Sequence, residues 1–410
     1  MTSETLLKPS DARPDHVLEE LYWDGDVREY ARSGPHDDPY LNVAGLFDGP
    51  DIIYARGAYR GYPGWLLKRN EHVAQAFMDH EHFSSAFGEV GTMLGVDWRQ
   101  NPLEIDPPDH RKYRQLLQPI FNPSAINKIE GMVRDVCREL IGRIRDRDGC
   151  DFTADFAAYF PSYVFLNLMG MPLDALPQFL AWENAFMRAP DPQDRVTALK
   201  SIVGYFEEYT AEKRAAPGED LVSHIVTSEI DGRRLNHGEV MGMCVVLYLG
   251  GLDTVMSSLG WYFNHLAGDP ELQQILREDP SRIPAAVDEL LRAFGVVALK
   301  RVVTRDFEFH GVAMKKGDLV SLATYLASRD PKAFPDPHRI DIDRNARHVT
   351  LATGVHNCLG IHLAKREIRI VLEEWLAAFS GIRIAEGQRP HWHSDGVWGI
   401  HALPLTWDRR

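Results

Sequence analysis

The chain has 410 residues, of which 44% are apolar and 25% are charged, the composition of an ordinary soluble globular protein. A formal net charge of −14 argues against a general affinity for nucleic acid or for anionic lipid surfaces. No CxxC pair is present, which disfavours a structural zinc site and a disulfide framework and favours a reducing cytoplasm; the cysteines are Cys137, Cys150, Cys244 and Cys358.

The N-terminal part of the chain is expected to differ from the rest. Residues 1–40 are rich in Pro, Asp and Gly, and we expect them to be loosely ordered ahead of a single domain over residues 41–410. At the start of that domain, the segments IIYARGAYRG and WLLKRN predict two short strands around a turn. The segment that follows, EHVAQAFMDHEHF, predicts a helix.

The middle of the chain is predicted to be mostly helical. Apolar residues recur at helical spacing at about 125–146, 160–171, 177–190 and 195–216. The Asp231-Gly232 pair predicts a small hairpin. Residues 300–325 alternate polar and β-branched side chains, which predicts a small antiparallel sheet, and a helix over 359–379 and short strands follow. The predicted fold class is therefore mainly α with small β-sheets.

A long apolar stretch has to be weighed as a membrane span. Residues 240–268 carry a single formal charge, Asp253, and about 20 apolar residues are enough to cross a bilayer. A carboxylate in mid-span is costly in lipid, and the Gly250-Gly251 pair and several hydroxyl side chains also interrupt the run. We therefore predict a helix over about 236–267 that is buried inside a protein without a membrane segment.

The segment LATGVHNCLG, residues 351–360, places Cys358 in a turn just ahead of a helix. A lone cysteine is most often a small buried apolar residue. Here Gly354 and Gly360 permit close approach of the backbone to a flat ligand, and His356 offers a hydrogen-bond donor. A helix N-terminus also stabilises a thiolate, the form that binds a metal such as haem iron. On this segment alone both interpretations stay open.

A second segment, LYLGGLDTVMSS, lies at residues 247–258 within the long apolar stretch. Each of its two glycines weakens a helix by ~1 kcal/mol relative to alanine, and together they let a ligand approach the backbone. Asp253 and Thr254 follow directly. They are either a polar helix face that crosses an apolar run or a proton-delivery pair beside a cavity.

Two charged groupings at helical spacing are also ambiguous. Glu289 and Arg292, at i and i+3, form either a solvated surface pair or a buried cluster with Arg339 of the segment FPDPHRID. His110 and Arg114, at i and i+4, form either an exposed basic face or a site for a carboxylate or phosphate.

The order and spacing of these motifs resemble those of the cytochrome P450 family. The chain carries Gly-Gly-x-Asp-Thr, Glu-x-x-Arg, Pro-x-Arg and then a Gly-x-His-x-Cys-x-Gly loop that opens a helix. The resemblance runs from about residue 45 to the C-terminus, and segments such as GGLDTV, EFHGV and LPLTWD are similar to the bacterial camphor monooxygenase subfamily. It implies a single-domain, mostly helical, triangular-prism fold with a long central distal helix and one haem b.

The resemblance also implies a role for each motif. Cys358 is the expected axial ligand of the haem iron, with Gly250 and Gly251 over the opposite face of the haem. Asp253 and Thr254 are expected to deliver protons for oxygen activation. The residues expected at the haem propionates are His356, Arg301, His110 and Arg114, and the expected buried structural triad is Glu289, Arg292 and Arg339. Leu351 and Ala352 depart from the family pattern, which has Phe and Gly at these positions.

The implied activity is hydroxylation of a small apolar substrate with O2 and two electrons, and we expect a terpenoid or norisoprenoid ketone. Trp98 takes the position of a substrate-binding tyrosine, and the expected pocket walls are Val246, Leu249 and Val297. The expected electron donor is a [2Fe–2S] ferredoxin with its NADH-dependent reductase, docking on a basic face of Arg111, Lys112, Arg114, Lys365 and Arg366. We expect a monomer without nucleic-acid partners. The alternatives are a peroxide-using haem-thiolate enzyme and a non-catalytic haem-binding sensor.

Overall fold

Helices account for about 53% of the chain in the computed structural model, which describes residues 13–345 and 347–408. The helices are α1 Val27–Ser33, α2 Pro39–Ala44, α3 Asn70–Met78, α4 Glu89–Leu94, α5 His110–Phe121, α6 Pro123–Ile144, α7 Phe160–Met169, α8 Leu176–Arg188, α9 Pro192–Ala215, α10 Leu221–Thr227, α11 His237–Ala267, α12 Pro270–Glu278, α13 Ile283–Ala293, α14 Thr324–Ala327 and α15 Ile361–Ala378. The predicted class, mainly α with small sheets, is confirmed.

Short strands make up the β structure. They are β1 Tyr22–Asp26, β2 Ile52–Tyr59, β3 Tyr62–Leu67, β4 Phe83–Ser84, β5 Gly149–Asp151, β6 Glu229–Ile230, β7 Arg233–Arg234, β8 Ala298–Val303, β9 Phe307–Phe309, β10 Val312–Met314, β11 Leu319–Ala323, β12 Ser380–Ile384, β13 His391–His393, β14 Gly399–Ala402 and β15 Pro404–Asp408. The two strands predicted before α3 are β2 and β3, and the hairpin predicted around Asp231-Gly232 is β6–β7.

The long helix α11 lies within the core of the protein and has a well-defined start. The Asn236 side chain accepts a hydrogen bond from the N–H of Glu239, and the Glu239 carboxylate accepts one from the N–H of Asn236. This capping box satisfies two backbone donors that a helix end would otherwise leave free. By length and composition α11 is the one described helix able to cross a membrane, but 67% of its most apolar window is buried within the protein. It is therefore the central helix of the fold.

The N-terminal residues belong to the largest sheet, whose six strands follow the order β1-β2-β3-β11-β8-β4. Strand β1 pairs in parallel with β2. Asp26 at the end of β1 caps α1 by accepting hydrogen bonds from the N–H groups of Arg28 and Glu29. The expectation that residues 1–40 are loosely ordered is therefore wrong for residues 13–40, and residues 1–12 lie outside the described residues.

The strands of residues 300–325 complete this sheet instead of forming a separate one. Strand β11 pairs antiparallel with β8, as predicted, and its other edge pairs in parallel with β3. Strands β9 and β10 form a separate two-stranded hairpin, and β12, β15 and β5 form a three-stranded sheet. Arg301 on β8 is thereby brought from the C-terminal half of the chain to a sheet built on N-terminal strands.

A buried charged cluster holds the coil that follows α14. Glu289 and Arg292 of α13 lie 2.8 Å apart with side chains 5% and 1% exposed, so the surface-pair interpretation is wrong. The third guanidinium of the cluster belongs to Arg344, whose Nε lies 3.1 Å from Glu289 Oε1. Arg339, the predicted third member, has an exposed side chain and contributes only its carbonyl oxygen to Arg292 and Arg344. The coil turns between residues 339 and 344, and this turn points Arg344 inward.

Candidate active site

The loop that carries Cys358 is closed by main-chain hydrogen bonds. The N–H of Cys358 donates to the carbonyl of Leu351 at 2.8 Å, and the N–H of Asn357 donates to that of Gly354 at 3.2 Å. The turn holds Ala352 at φ +57 and Gly354 at φ +71, both in the left-handed region. Alanine is strained there and glycine is not, so the departure at Ala352 has a conformational cost. Leu351 is half-buried against the main core.

The Cys358 thiol has two neighbours that favour its ionised form. Burial raises the pKa of the thiol, whereas the hydrogen bond from the N–H of Gly360 and the charge of Arg114 lower it. Arg114 is fixed on the loop because it donates to the Asn357 carbonyl at 2.8 Å and to the Asn357 amide oxygen at 3.0 Å. A cation and a helix-start amide thus stand beside the sulfur, as in reactive cysteines.

An apolar cavity lies between the Cys358 loop and α11. One set of lining residues comes from the loop and α15, namely His356, Cys358, Leu359, Gly360, Leu363, Ala364 and Glu367. A second set comes from α11, namely Val246, Leu247, Gly250, Gly251, Thr254 and Val255. The rest are Pro102, Leu103, His110, Arg114, Phe121 and Phe165. Cys358 and Thr254 border the same space.

The two central glycines of α11 have different surroundings. A Cβ at Gly250 would meet no atom within 4 Å, so this position opens on the cavity. A Cβ at Gly251 would lie 2.5 Å from the ring of Phe165, so a small residue is needed there for α7 to pack. Thr254 Oγ1 donates to the Gly250 carbonyl at 2.9 Å, which leaves the hydroxyl oxygen able to accept a hydrogen bond in the cavity.

Asp253 is fully buried and lies off the cavity lining. Its Oδ1 accepts hydrogen bonds from Arg188 Nη2 at 2.5 Å and from Ser257 Oγ at 3.2 Å, and its Oδ2 has no partner among the described residues. Arg188 also lies 3.6 Å from Glu183, a carboxyl group that is 2% exposed. Burial and the nearby Asp253 carboxylate raise the pKa of Glu183 well above its usual range. One guanidinium therefore serves two buried carboxyl groups.

Sequence reasoning missed Glu183 and Arg188. Both lie on α8, which was predicted only as an amphipathic helix. The available signal was weak, since two opposite charges five residues apart on such a helix are usually solvated. Their role depends on α8 packing across α11 next to Asp253, which no local pattern encodes.

The residues predicted to bind haem propionates lie at one edge of the site. The rings of His110 and His356 are 4.3 Å apart. Burial and the charge of Arg301 lower the pKa of His356 to about 3, and burial and the charge of Arg114 lower that of His110 to about 4. His110 Nε2 and Arg301 Nη2 are buried without a partner among the described residues. Buried polar atoms are normally hydrogen-bonded, so these two await an acceptor that the polypeptide does not supply.

These features fit haem b. The cavity presents a cysteine thiol with groups that favour the thiolate, and thiolate is a common axial ligand of haem iron. The unpartnered nitrogens of His110 and Arg301 match the carboxylates at the edge of the porphyrin. The open surface at Gly250 leaves room for a flat ring against α11. Among the described residues no cluster of three or more His, Cys, Asp or Glu offers another metal site.

Of the predicted pocket walls, Val246 and Leu249 lie on α11 and Val297 lies just before β8. Val246 lines the cavity, whereas Leu249 and Val297 are not in its lining and pack, half-buried, against the main core. Val297 is the residue whose carbonyl accepts the hydrogen bond of the Thr324 hydroxyl, at the start of α14. Leu249 and Val297 are therefore packing residues of the apolar core around the cavity.

Trp98, the predicted substrate-binding residue, is not among the residues that line the cavity beside Cys358. Trp98 packs against the start of α11, where a Cβ on Gly238 would lie 2.8 Å from its side chain. Gly238 lies twelve residues before Gly250, which is about 18 Å along the helix at a rise of 1.5 Å per residue. Pro102 and Leu103, farther along the same loop, line the cavity instead. An irregular loop has no periodicity from which the inward-facing residue can be read.

The basic face expected to dock a ferredoxin is largely neutralised by the protein itself. Arg114 is hydrogen-bonded to Asn357, as described above. Three other members form ion pairs, namely Lys112 with Asp109 and Asp231, Lys365 with Asp288, and Arg366 with Glu130. Within the described part of the chain, no anionic partner is found for Arg111, and Arg114 binds only the neutral Asn357. The acidic partners lie on other segments, so sequence alone did not show the neutralisation.

Comparison with known proteins agrees with this geometry. The family model for cytochrome P450 matches residues 179–396. The chain is 37% identical to the probable cytochrome P450 127A1 of Sinorhizobium fredii over 405 residues, covering 96% of each chain. It is 31% identical to cytochrome P450-terp of a Pseudomonas species over 300 residues, covering 68% of this chain and 70% of that protein.

Solved structures agree as well. The crystal structure of CYP101C1 superposes with a TM-score of 0.86 at 32% identity, covering 97% of this chain and all of the other. That of CYP101J2 gives a TM-score of 0.85 at 31% identity, covering 97% and 99% of the two chains. Both are members of the camphor-like P450 subfamily.

The chain belongs to the cytochrome P450 family. The members of this family are monooxygenases that bind haem b through a cysteine thiolate, so the predicted enzyme class, single-domain fold and cofactor are confirmed. The resemblance to the camphor-like subfamily is confirmed by the two structural neighbours.

Proposed function

We propose that this P450 hydroxylates a small apolar terpenoid or norisoprenoid ketone, using O2 and two electrons from a [2Fe–2S] ferredoxin and its NADH-dependent reductase in the cytoplasm. The observation that carries the proposal is one apolar cavity bordered by the Cys358 thiol and by Thr254. Bound haem would supply the activation of O2 and the insertion of one oxygen atom into the substrate.

The chain's own residues would hold the cofactor in place. Cys358 would be the axial ligand, with its thiolate favoured by the Gly360 N–H and by Arg114. His110 Nε2 and Arg301 Nη2 would donate to the propionates, and this would satisfy two buried nitrogens that have no partner among the residues the structure describes. His356 would contribute less directly, because its Nε2 lies 3.1 Å from the Ser85 hydroxyl.

Thr254 and Asp253 would control protons on the α11 side. The Thr254 hydroxyl, whose own proton is directed to the Gly250 carbonyl, would accept a hydrogen bond from water in the cavity. Asp253 Oδ2 has no hydrogen-bond partner among the described residues, but the group is fully buried and tied to Arg188. It would therefore have to turn from Arg188 toward Thr254 in order to pass a proton on.

The ligand assignment is tested by spectroscopy on the purified holoprotein. We expect the ferrous–CO form to show the strongly red-shifted Soret band of thiolate ligation, and Cys358→Ser to lose it. Cys150→Ser is the matched control, because Cys150 is half-buried and lies away from the cavity. A normal red-shifted band in Cys358→Ser would reject the assignment.

The proton-delivery assignment is tested by coupling between NADH oxidation and product. General acid–base groups contribute roughly 10²–10⁴-fold, so we expect Thr254→Ala to lower product per NADH by about tenfold or more and to release hydrogen peroxide. Thr254→Ser keeps the hydroxyl and should retain coupling. Undiminished product in Thr254→Ala would favour a peroxide-using enzyme, and spectral binding without any product would favour a sensor.

The electron donor is tested by the salt dependence of its reaction. Because most of the basic face is internally paired, we expect Lys112→Gln and Lys365→Gln to change the rate of reduction by ferredoxin by less than about twofold. Arg111→Gln should slow it and weaken its salt dependence. Equal effects of all three substitutions would show that the internal ion pairs open when the ferredoxin docks.

A further inference from the structure

The guanidinium of Arg188 contacts a third side chain besides the two buried carboxyl groups. Its Nε donates a hydrogen bond to His393 Nε2 at 3.3 Å, while its Nη2 donates to Asp253 Oδ1 at 2.5 Å. His393 lies on β13 and is buried. Helix α8, helix α11 and the β13–β14 hairpin therefore meet at one guanidinium.

This contact fixes the protonation state of the His393 ring. A guanidinium has only N–H donors and keeps its proton in proteins, so it can bond only to a nitrogen that has a free lone pair. The proton of His393 therefore lies on Nδ1, and the ring is neutral. Burial and the charge of Arg188 lower the pKa of His393 to about 2, which agrees with a neutral ring. His393 is thus an uncharged acceptor for Arg188.

A glycine opposite His393 brings its ring close to α11. His393 pairs with Gly399 of β14. A Cβ on Gly399 would lie 2.8 Å from His393 Nε2 and 2.7 Å from Ser257 Oγ, so a larger residue would displace one of these groups. The Ser257 hydroxyl in turn donates to Asp253 Oδ1 at 3.2 Å. The hairpin is therefore shaped so that the His393 ring reaches the polar group around Asp253.

The bond to His393 limits how Arg188 binds Asp253. A guanidinium binds a carboxylate most strongly through two parallel N–H···O bonds, and the Nε and Nη2 hydrogens lie on one edge of its fork. Because Nε is bonded to His393, Nη2 alone bonds to Asp253. The other carboxyl group, Glu183, lies 3.6 Å from Nη1, which is too long for a hydrogen bond. Asp253 is therefore held by one strong hydrogen bond instead of two.

We propose that His393 is a positioning residue for proton delivery, which keeps Arg188 from forming a two-bond pair with Asp253 so that Asp253 can turn toward Thr254. The inference rests on the proposed function and adds to it a residue outside the cavity lining. When Asp253 turns, Arg188 keeps a neutral acceptor and stays in place. Without His393, the Arg188 Nε would lose its acceptor, and Asp253 Oδ2, which has no partner among the described residues, would supply one.

The test replaces His393 by residues of similar size. His393→Leu fills the space but accepts no hydrogen bond, so Arg188 becomes free to bind Asp253 through both nitrogens. His393→Gln offers an amide oxygen near the position of Nε2 and should hold the Arg188 Nε as the wild type does. His391→Gln is the matched control, because His391 is an exposed histidine on the same strand.

The first measurement is ¹⁵N NMR of the ferrous–CO holoprotein labelled in its histidines. The His393 ring is identified as the signal that is missing from His393→Gln. We expect a neutral ring at pH 7 with its proton on Nδ1. A ring protonated at Nε2 cannot accept from Arg188 and would overturn the inference, whether or not the protein turns over a substrate.

The second measurement is turnover of β-ionone, a norisoprenoid ketone, with the ferredoxin system in H2O and in D2O. One hydrogen bond to a charged group corresponds to about tenfold or more in an equilibrium constant, so we expect His393→Leu to lower the rate of product formation by about tenfold and to raise the solvent isotope effect. The Kd of β-ionone, from its spin-state shift, should change by less than about threefold. His393→Gln and His391→Gln should stay within about twofold of the wild-type rate.

Three outcomes of the turnover measurement contradict the inference. An undiminished rate in His393→Leu would show that the contact has no role in proton delivery. An equal loss in His393→Leu and His393→Gln, or a loss without a larger solvent isotope effect, would show a role in packing alone. Failure of the proposed function would appear separately, since the wild type itself would then lack the red-shifted Soret band or form no product from β-ionone.

Discussion

Replacing Arg344 by methionine tests whether the buried cluster on α13 is built as the structure shows. Arg344 donates from Nε to Glu289 Oε1 at 3.1 Å, from Nη1 to the Pro335 carbonyl at 2.6 Å, and from Nη2 to the carbonyls of Asp336 and Arg339, both at 3.2 Å. The side chain is 10% exposed. Its loss breaks one charged hydrogen bond and removes a donor from the carbonyls of Pro335 and Asp336, while the Arg339 carbonyl keeps its bond from Arg292.

The magnitude follows from the cost of breaking a buried ion pair, about 3–5 kcal/mol. Because Arg292 still pairs with Glu289 at 2.8 Å, we take the lower end, about 3 kcal/mol. An unfolding entropy of about 2.1 cal/mol/K per residue gives roughly 0.9 kcal/mol/K for this chain, so the melting temperature should fall by about 3–4 °C.

Arg339→Met is the matched control. The Arg339 side chain is exposed and only its carbonyl oxygen is used, so its substitution should change stability by less than about 0.5 kcal/mol. Thermal unfolding of the two holoproteins, followed by far-UV circular dichroism, measures both values. If Arg339→Met is as costly as Arg344→Met, the assignment of Arg344 to the cluster is wrong.

Four further substitutions test other parts of the site. Ala352→Gly should raise the free energy of unfolding in urea by about 0.5–1 kcal/mol. Glycine removes the strain that a side chain has at φ +57, and this gain is larger than the extra backbone entropy that glycine loses on folding. Glu183→Gln should flatten the pH dependence of stability. Burial and Asp253 raise the pKa of Glu183 above its usual 4.5, so the folded wild type holds a proton that the unfolded chain has already lost. Wild-type stability therefore falls by up to about 1.4 kcal/mol per pH unit as the pH rises from 4.5 to the raised pKa, and the variant lacks this fall. Gly251→Ala should cost about 1–3 kcal/mol, because its Cβ would meet the Phe165 ring at 2.5 Å, whereas Gly250→Ala should not destabilise the fold.

Each of these has a contrary outcome. An Ala352→Gly variant that is less stable than the wild type would show that the loop gains more from alanine packing than it loses to strain. Identical pH dependence of stability in Glu183→Gln and wild type, measured by urea unfolding between pH 5 and 8, would place the retained proton elsewhere. Equal stability of the two glycine variants would mean that the Phe165 ring moves aside without cost.

The helices of this protein could be located from sequence because their information is local. The apolar repeat over residues 125–146 predicted α6, which spans Pro123–Ile144, and the apolar stretch before Gly268 predicted α11, which spans His237–Ala267. The apolar repeat, the capping residues and the turn residues of a helix lie close together in the sequence, so they can be recognised in one sequence alone.

Part of the active site was local in the same sense. Cys358, its glycines and the start of α15 lie within one segment, and Asp253 and Thr254 follow Gly250-Gly251 on one helix. Their role in one cavity was a prediction from motif order. That α11 and the Cys358 loop border a common cavity is a property of the packing between them.

The tertiary structure decided what depends on distant partners. Strand β1 is ordered because β2 offers it an edge, although the composition of residues 13–40 gives no strand signal. The exchange of Arg339 for Arg344 and the ion pairs of the basic face share a cause, because packing sets both the direction of side chains in irregular coil and the meeting of charges from separate segments. The sequence by itself thus determined the helices, the cysteine loop and the family. Which polar groups meet in three dimensions, including Arg188 with Asp253, was decided only by the fold, because hydrogen bonds and burial act between residues that the chain order keeps apart.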